Sequence, residues 1–296
     1  MLRRLTGMDI SVSKLRTMAL AYGECCLRTQ AAAAPDLRSY PQRTPQDGET
    51  ETVHTLFCML DGTGAPCTKA DTADIQGKHG EAGTRQIRVA LFGEYGWLDK
   101  KGRPSSFRGS FSYAVSGEEI AEVSGLVRKL GIARGYGKAA RMQCVADGEE
   151  ALEKALRDAF PNAVFTNDFM HASGHLHTCC EYLALPAEVA DKEYRFLKGL
   201  LYRSGAVAVI KHLETKHAQA LGASPEAEKE LDYLRKRKEN MCYGRLRKEG
   251  LFIASGHVEA AARVLVVRRC KQAGMHWRHK NAIRISAILA HLRSAA

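Results

Sequence analysis

No apolar run in the 296-residue chain approaches the roughly 20 residues that a membrane-spanning helix needs, and 26% of the residues are charged. The chain therefore reads as soluble, with no membrane partner. It has no Cys-x-x-Cys pair: the nine cysteines are odd in number and include two adjacent pairs, Cys25-Cys26 and Cys179-Cys180. That pattern argues against a disulfide framework and for reduced thiols in a cytoplasmic protein. The opening MLRRLTGMDISVSKL lacks both a long apolar core and a small-residue cleavage site, so no secretory signal is expected. With 45% apolar residues the chain is also too hydrophobic to be mainly disordered.

Acid is the scarcest commodity toward the C-terminus. Residues 231–296 hold 15 Lys and Arg against Asp232, Glu239, Glu249 and Glu259, which accounts for the whole net charge of +11. Beyond Glu259 there is no acid, while Arg263, Arg268, Arg269, Lys271, Arg278, Lys280, Arg284 and Arg293 supply eight fixed positive charges. Such a block attracts a polyanion, most commonly nucleic acid, because each neutralised phosphate releases counterions. Lys236, Arg237, Lys238, Arg245, Arg247 and Lys248 form a second basic group suited to following a phosphate backbone. A solvated face is the plainer reading of either group.

The order of elements is informative. Residues 1–30 read as two short helices, Leu2 to Thr6 and Ser11 to Gly23, broken by Gly7-Met8-Asp9, the rhythm of a helix-turn-helix or of a plain helical hairpin. Pro35, Pro41 and Pro45 mark residues 31–50 as a linker. Residues 51–185 then predict strands at Val53 to Leu60, Ala65 to Thr72 and Thr84 to Gly93, a helix at 117–132, and a strand at Met142 to Ala146. A helix at Glu149 to Ala159, a strand at Ala163 to Asp168 and a helix at His171 to Leu185 complete this part. The order βββαβαβα predicts an α/β fold in which an antiparallel meander is followed by parallel strands with crossover helices. Residues 186–250 show only helical signals and read as an all-α insertion. Residues 251–296 carry the last helices, 256–270 and Ala282 to Leu292, with the basic tail.

Two acids share one local setting, since Asp61 and Asp147 each follow an apolar strand and precede a glycine, in CMLDG and CVADG. Carboxylates at the ends of neighbouring strands converge at the sheet edge where open α/β folds bind ligands, and they repel unless a cation neutralises them. Oxygen donors favour Mg²⁺ or Mn²⁺, and a pair of such ions can serve phosphodiester chemistry. Asp-Gly is also a common strand-ending turn, the plainer reading of either residue alone. A third candidate, Glu259, is the sole acid among residues 250–296 and lies in the first turn of a helix opened by Ser255-Gly256, where a helix-dipole contact is its plainer reading.

Taken together, CMLDGTG, GEAGTRQIRVALFGEYGW, SFSYAVSGEEIAEVSG, VADGEEALEKALRDAFPNAVFTNDFMHASGHL and EGLFIASGHVEAAARVLVVRRCKQAGMHW, followed by AILAHLR, resemble the ISKra group of bacterial insertion-sequence transposases, among the mutator-like DDE enzymes. The resemblance runs co-linearly over about residues 51–294. It implies an RNase H-like five-stranded mixed sheet flanked by helices and interrupted by the helical insertion. It also implies that Asp61, Asp147 and Glu259 hold two Mg²⁺ or Mn²⁺ ions for DNA cleavage and strand transfer, on element ends and target DNA, by a homo-oligomer assembled on DNA at the bacterial nucleoid. Asp168 and His171, in DFMH, match a C/D-x-x-H signature with a supporting role, and Asp168 is the alternative second acid. An RNase H-like nuclease that does not join strands, and a truncated or inactive DNA-binding remnant, are the other functional readings.

Two further features have plainer readings. His171, His175 and Cys179 repeat every four residues on one helix, which could suggest zinc but more simply suggests packing. Trp277 could stack on an unpaired base, but anchoring the last helix to the core is the simpler role.

Overall fold

The computed structural model describes residues 10–32, 44–77, 80–81, 83–106 and 108–294. The predicted Leu2 to Thr6 helix and most of the linker lie outside these residues. The centre is a five-stranded mixed sheet of β1 (Thr50–Pro66), β2 (Thr84–Leu98), β3 (Ser112–Ser116), β4 (Arg141–Ala146) and β5 (Val164–Asn167), in the order β3-β2-β1-β4-β5. The β1–β2 and β2–β3 pairs are antiparallel, while β1–β4 and β4–β5 are parallel.

The run Leu56 to Leu60 explains why β1 is central. Side chains alternate across a strand, so an unbroken apolar run buries both faces. Phe57 and Met59 join one hydrophobic cluster, while Leu56, Cys58 and Leu60 join another on the opposite face.

Helix α1 (Val12–Ala32) is one continuous helix of 21 residues, so the predicted Ser11 to Gly23 helix runs on to Ala32. Gln30 holds it to the core by donating from Nε2 to the Val115 carbonyl (2.8 Å) and accepting the Val115 N–H at Oε1 (3.0 Å), which satisfies backbone groups on the edge strand β3. Helices α2 (Ile120–Ala133) and α3 (Glu150–Ala159) cover one face of the sheet through Val123, Val127, Leu152 and Leu156.

After β5 the chain leaves the sheet through α4 (Phe169–Tyr182) into the all-helical region: α5 (Ala187–Ser204), α6 (Ala206–Lys216), α7 (Ala218–Ala223), α8 (Pro225–Arg237) and α9 (Tyr243–Lys248). These helices have a core of their own, with Leu197, Leu201, Val209, Leu213, Leu231 and Tyr243 packed against Leu176 of α4. Ser224 caps α8 by accepting the Ala227 N–H, with Pro225 at the first helical position. The chain returns at α10 (Gly256–Ala262), which passes into a π-helical turn, Arg263–Val267, and ends in Arg268–Cys270. Helix α10 and α11 (His279–Ser294) cover the other face of the sheet through Val258, Ala262, Ala282 and Ala287.

The sequence expectation needs three corrections, the first being that the edge strand β3, Ser112–Ser116, lies in a stretch read from sequence as a loop, so the observed meander is not made of the three strands expected. Ala65 and Pro66 end β1 rather than beginning a second strand, and Lys69–Thr72 is a helical turn. Likewise β1 does not stop before Asp61, because β2 keeps pairing with it as far as Pro66 opposite Thr84. All nine cysteines are free thiols. Among the described residues, no helix is long and apolar enough to cross a membrane.

Backbone closeness between α5 and α9 gives a test of the packing. A Cβ on Gly244 would sit 1.9 Å from the Arg203 carbonyl oxygen, whereas one on Gly125, inside α2, meets nothing within 4 Å. Gly244→Ala is expected to destabilise the chain by about 2 kcal/mol or more. Gly125→Ala should stabilise it by roughly 0.5–1 kcal/mol. Urea unfolding midpoints at unchanged m-value measure both.

Candidate metal centre

Register brings the first two predicted acids together. In the parallel β1–β4 pair Thr55 faces Arg141 and Met59 faces Val145, a constant offset of 86 (145 − 59). Two residues further on, the same offset sets Asp61 level with Asp147 (147 − 61). The β4–β5 pair, with Ala146 opposite Asn167, carries an offset of 21 (167 − 146), so Asp168 stands level with Asp147 (168 − 147). Three carboxylates therefore share one level across three adjacent parallel strands. Asp147 and Asp168 lie just past their strands, whereas Asp61 sits where β1 outruns β4.

Asp147 is fixed by its turn. Its Oδ1 accepts the Glu149 N–H (2.8 Å), and its carbonyl accepts from Tyr233 Oη on α8 (2.7 Å). Gly148 between them has φ +95°, and a Cβ there would lie 2.2 Å from Tyr233 Oη, so both backbone conformation and space call for glycine.

Asp168 is fully buried and caps α4. Its Oδ1 accepts the His171 backbone N–H (2.8 Å) and lies 3.2 Å from His171 Nδ1, and its Oδ2 accepts the Ser255 N–H (2.5 Å) and hydroxyl (2.9 Å). Ser255 Oγ also stands 2.9 Å from Glu259 Oε1. One serine thus ties the start of α10 to the end of β5 and orients Glu259. With both Asp168 oxygens engaged by protein donors, the carboxylates with freer oxygens are Asp61, Asp147 and Glu259.

The electrostatics record the crowding. Burial, then the charge of Asp147 and that of Glu259, push the Asp61 carboxyl up to about 6, against the opposing pull of the Gly62 N–H and His171. Burial likewise raises Asp168, but the His171 and Ser255 donors outweigh it and hold that carboxyl below its ordinary value. The hydrogen bond to Asp168 raises His171 against the effect of burial, helped by the charges of Asp168, Asp147 and Glu259. Burial and the Asp147 charge raise Glu149, a neighbour that sequence reasoning missed. A donor set of mutually repelling carboxylates suits a hard divalent cation.

Among the described residues the ligand atoms of Asp168, His171 and Glu259 come within 4.8 Å of one another, whereas Asp61 and Asp147 belong to no such three-residue group. The charges of Asp147 and Glu259 both act on Asp61.

The predicted basic residues divide into two sets. Lys236, Lys238, Lys248, Arg263, Arg268, Arg269 and Lys280 are exposed and form no ion pair among the described residues. Lys271 Nζ donates to Thr63 Oγ1 (3.0 Å), two residues past Asp61, which brings the basic end of the α10 segment beside that strand. Others are engaged in the scaffold: Arg237 pairs with Glu153 (3.7 Å) and lies 4.5 Å over the Tyr233 ring, Arg245 pairs with Glu249 (3.7 Å), and Arg278 faces Asp71 (3.9 Å). Arg247 stacks 3.8 Å over Tyr202.

The three residues spaced by four on α4 do not face a common point, and Trp277 contacts the core. His175 stacks on Tyr233 (3.6 Å) and bonds Glu230 (2.5 Å), while Cys179 is buried, so these two and His171 share no site. Trp277 is half-buried against the core and donates to the Cys270 carbonyl (3.2 Å). Tyr233 carried no local signal in the sequence, whereas Ser255 carried one as the residue opening a helix.

Because the Asp61 carboxyl titrates higher in the folded chain than in the unfolded one, it binds more protons folded, so its contribution to stability falls as pH rises from about 4 through 6. Asp61→Asn should therefore stabilise the metal-free chain near neutral pH by about 1–2 kcal/mol after solvent screening, and by almost nothing near pH 4. Urea unfolding of both chains at the two pH values checks this.

No protein-family model and no curated protein matches this chain.

Proposed function

We propose that this chain is a metal-dependent DNA transposase of the ISKra group, working on an RNase H-like core. The carrying observation is that Asp61 and Asp147 both lie two residues beyond the last pair of the parallel β1–β4 ladder, Met59 opposite Val145, while the charge of Glu259, 112 residues beyond Asp147 (259 − 147), helps raise the Asp61 carboxyl. The βββαβαβα order, the mixed sheet and the helical region between β5 and α10 support such a core with an insertion before its last helices.

In this reading Asp61, Asp147 and Glu259 hold the metals, with Asp61 shared. Two Mg²⁺ or Mn²⁺ ions there would activate a water or a 3′-hydroxyl and offset charge on the leaving oxygen. Asp168 and His171 position the site: Asp168 anchors the Ser255 end of α10, and His171, protonated more readily than a free imidazole, sets positive charge beside three acids. The exposed cations Lys236, Lys238, Lys248, Arg263, Arg268 and Arg269 hold phosphates, giving affinity without sequence preference. The DNA comprises element ends and target, and a homo-oligomer assembles on it in the bacterial cytoplasm.

Strand transfer of pre-nicked element ends into a plasmid, with about 5 mM Mg²⁺, tests the assignment. Asp147→Asn should lower joining by at least roughly 100-fold, equivalent to about 3 kcal/mol, with DNA affinity kept. Undiminished joining removes Asp147 from the site. Cleavage without joining favours the nuclease reading, and salt-sensitive binding with no metal-dependent chemistry favours an inert remnant. Separately, the Arg268→Ala, Arg269→Ala double variant should reduce the slope of log K against log salt by about 2, as read by fluorescence anisotropy.

A further inference from the structure

Within the helical region, away from the carboxylate centre, a second group of ligating side chains converges on one atom. Glu193 of α5 is nearly fully buried, at 6% exposure. Its Oε1 lies 2.7 Å from Nε2 of His212, on α6, and 2.9 Å from Nε2 of His217, at the junction of α6 and α7. Its Oε2 accepts from Lys216 Nζ (2.6 Å). The ligand atoms of Glu193, His212 and His217 all fall within 4.8 Å of one another.

Lys216 and the two imidazoles satisfy the buried carboxylate as donors, and the same convergence presents a set of metal-ligating atoms. Lys216 alone neutralises the Glu193 carboxylate, and it does so on the other oxygen. Two imidazoles meet through Nε2 at the remaining oxygen, which leaves two nitrogens and one carboxylate oxygen facing one point. Tetrahedral zinc bonds of about 2.0–2.2 Å place neighbouring ligand atoms roughly 3.3–3.4 Å apart, so the present N···O separations would open by only about 0.5 Å.

We infer that Glu193, His212 and His217 form a zinc-binding site inside the helical region. Two nitrogen donors make the group a poor match for Mg²⁺ or Ca²⁺, while two imidazoles and one carboxylate oxygen suit Zn²⁺ with a water as fourth ligand. A cavity of about 410 Å³ borders Lys216 and His217 of the group. In the metal-free chain each neutral imidazole donates its Nε2–H to Oε1; binding needs the Nε2 lone pairs, so each proton moves to Nδ1, a change of tautomer with no net proton release. Lys216 keeps its bond to Oε2 and holds the carboxylate to one-oxygen ligation. The His212 ring packs against Phe196, with centroids 5.0 Å apart, and the His217 side chain is 9% exposed, so both rings are held before the ion arrives. The ion would pin α5 to the bend between α6 and α7.

The full chain, stripped with EDTA and kept in about 10 mM Mg²⁺ to occupy the carboxylate centre, is titrated with Zn²⁺ against a competing chromogenic chelator. One zinc per chain is expected with Kd below about 1 µM. At a hundredfold excess over Kd, Tm should rise by roughly 5 °C. His212→Gln and His217→Gln should each weaken binding at least tenfold, whereas Glu259→Gln and His171→Gln should retain it. Substitution with Co²⁺ should give the visible bands of a tetrahedral nitrogen and oxygen site in the unaltered chain, a readout that stands even if a histidine variant fails to fold. Absence of zinc binding up to about 100 µM overturns the inference. So does zinc that departs with His171→Gln and stays with His212→Gln. Neither result bears on strand transfer, which is read separately with Asp147→Asn.

Discussion

The buried carboxylate of Asp168 is the join on which the rest of the structure depends. It sits between two helix beginnings, capping α4 through the His171 N–H and receiving both the N–H and the hydroxyl of Ser255 from 87 residues further along the chain. Between those points the chain leaves the sheet, builds a helical unit with its own core and returns. A buried carboxylate without such donors would be costly, and removing one partner of a satisfied group costs more than the bond's net worth. The same contact decides where α10 begins, and so where Glu259 arrives.

The carboxylate centre is built against local stability. Burial and then repulsion raise Asp61, and the repelling neighbours are held in place: Asp147 by its glycine turn and Tyr233, Glu259 by the first turn of α10, where it shares the single Ser255 hydroxyl proton with Asp168. Functional sites commonly hold such unfavourable pairs, because the surrounding fold over-determines them. Here the sheet supplies part of the constraint, since the parallel β1–β4 ladder is fixed up to Met59 opposite Val145, two residues before Asp61 and Asp147. The nitrogen-rich group around Glu193 is the opposite case, with every carboxylate oxygen already met by a donor.

Much of the sheet was legible in the sequence, for physical reasons. The alternation in β2 and the unbroken apolar runs in β1 and β4 identify strands whatever their tertiary partners, and the helical spacing of Val123, Val127, Leu152 and Leu156 identifies α2 and α3. Asp61 and Asp147 could be singled out because each follows an apolar run, and Glu259 because no other acid lies near it. The extent of β1 was not legible, since Asp61-Gly62 looks like a turn and only pairing with β2 keeps it extended. The length of α1 escaped because Gly23, a stop signal by propensity, is instead where α1 lies close to the backbone of Arg284 on α11. Tyr233 and Glu193 were invisible for a shared reason: their partners, Asp147 and the His212–His217 pair, lie 86 and 19–24 residues away. The histidines of α4 drew attention through regular spacing, yet α4 turns His175 onto Tyr233 instead of toward an ion.

The π-helical turn Arg263–Val267 follows Glu259 within one turn, while Leu265 and Val266 inside it remain buried. A π turn holds one residue more than an α turn, so everything after it is rotated by about 100° relative to an unbroken α-helix. Arg268 and Arg269 therefore look outward along a different azimuth from the one that uninterrupted winding from Glu259 would give them. One surplus residue sets the angle between the last acid of the chain and the cations that follow it.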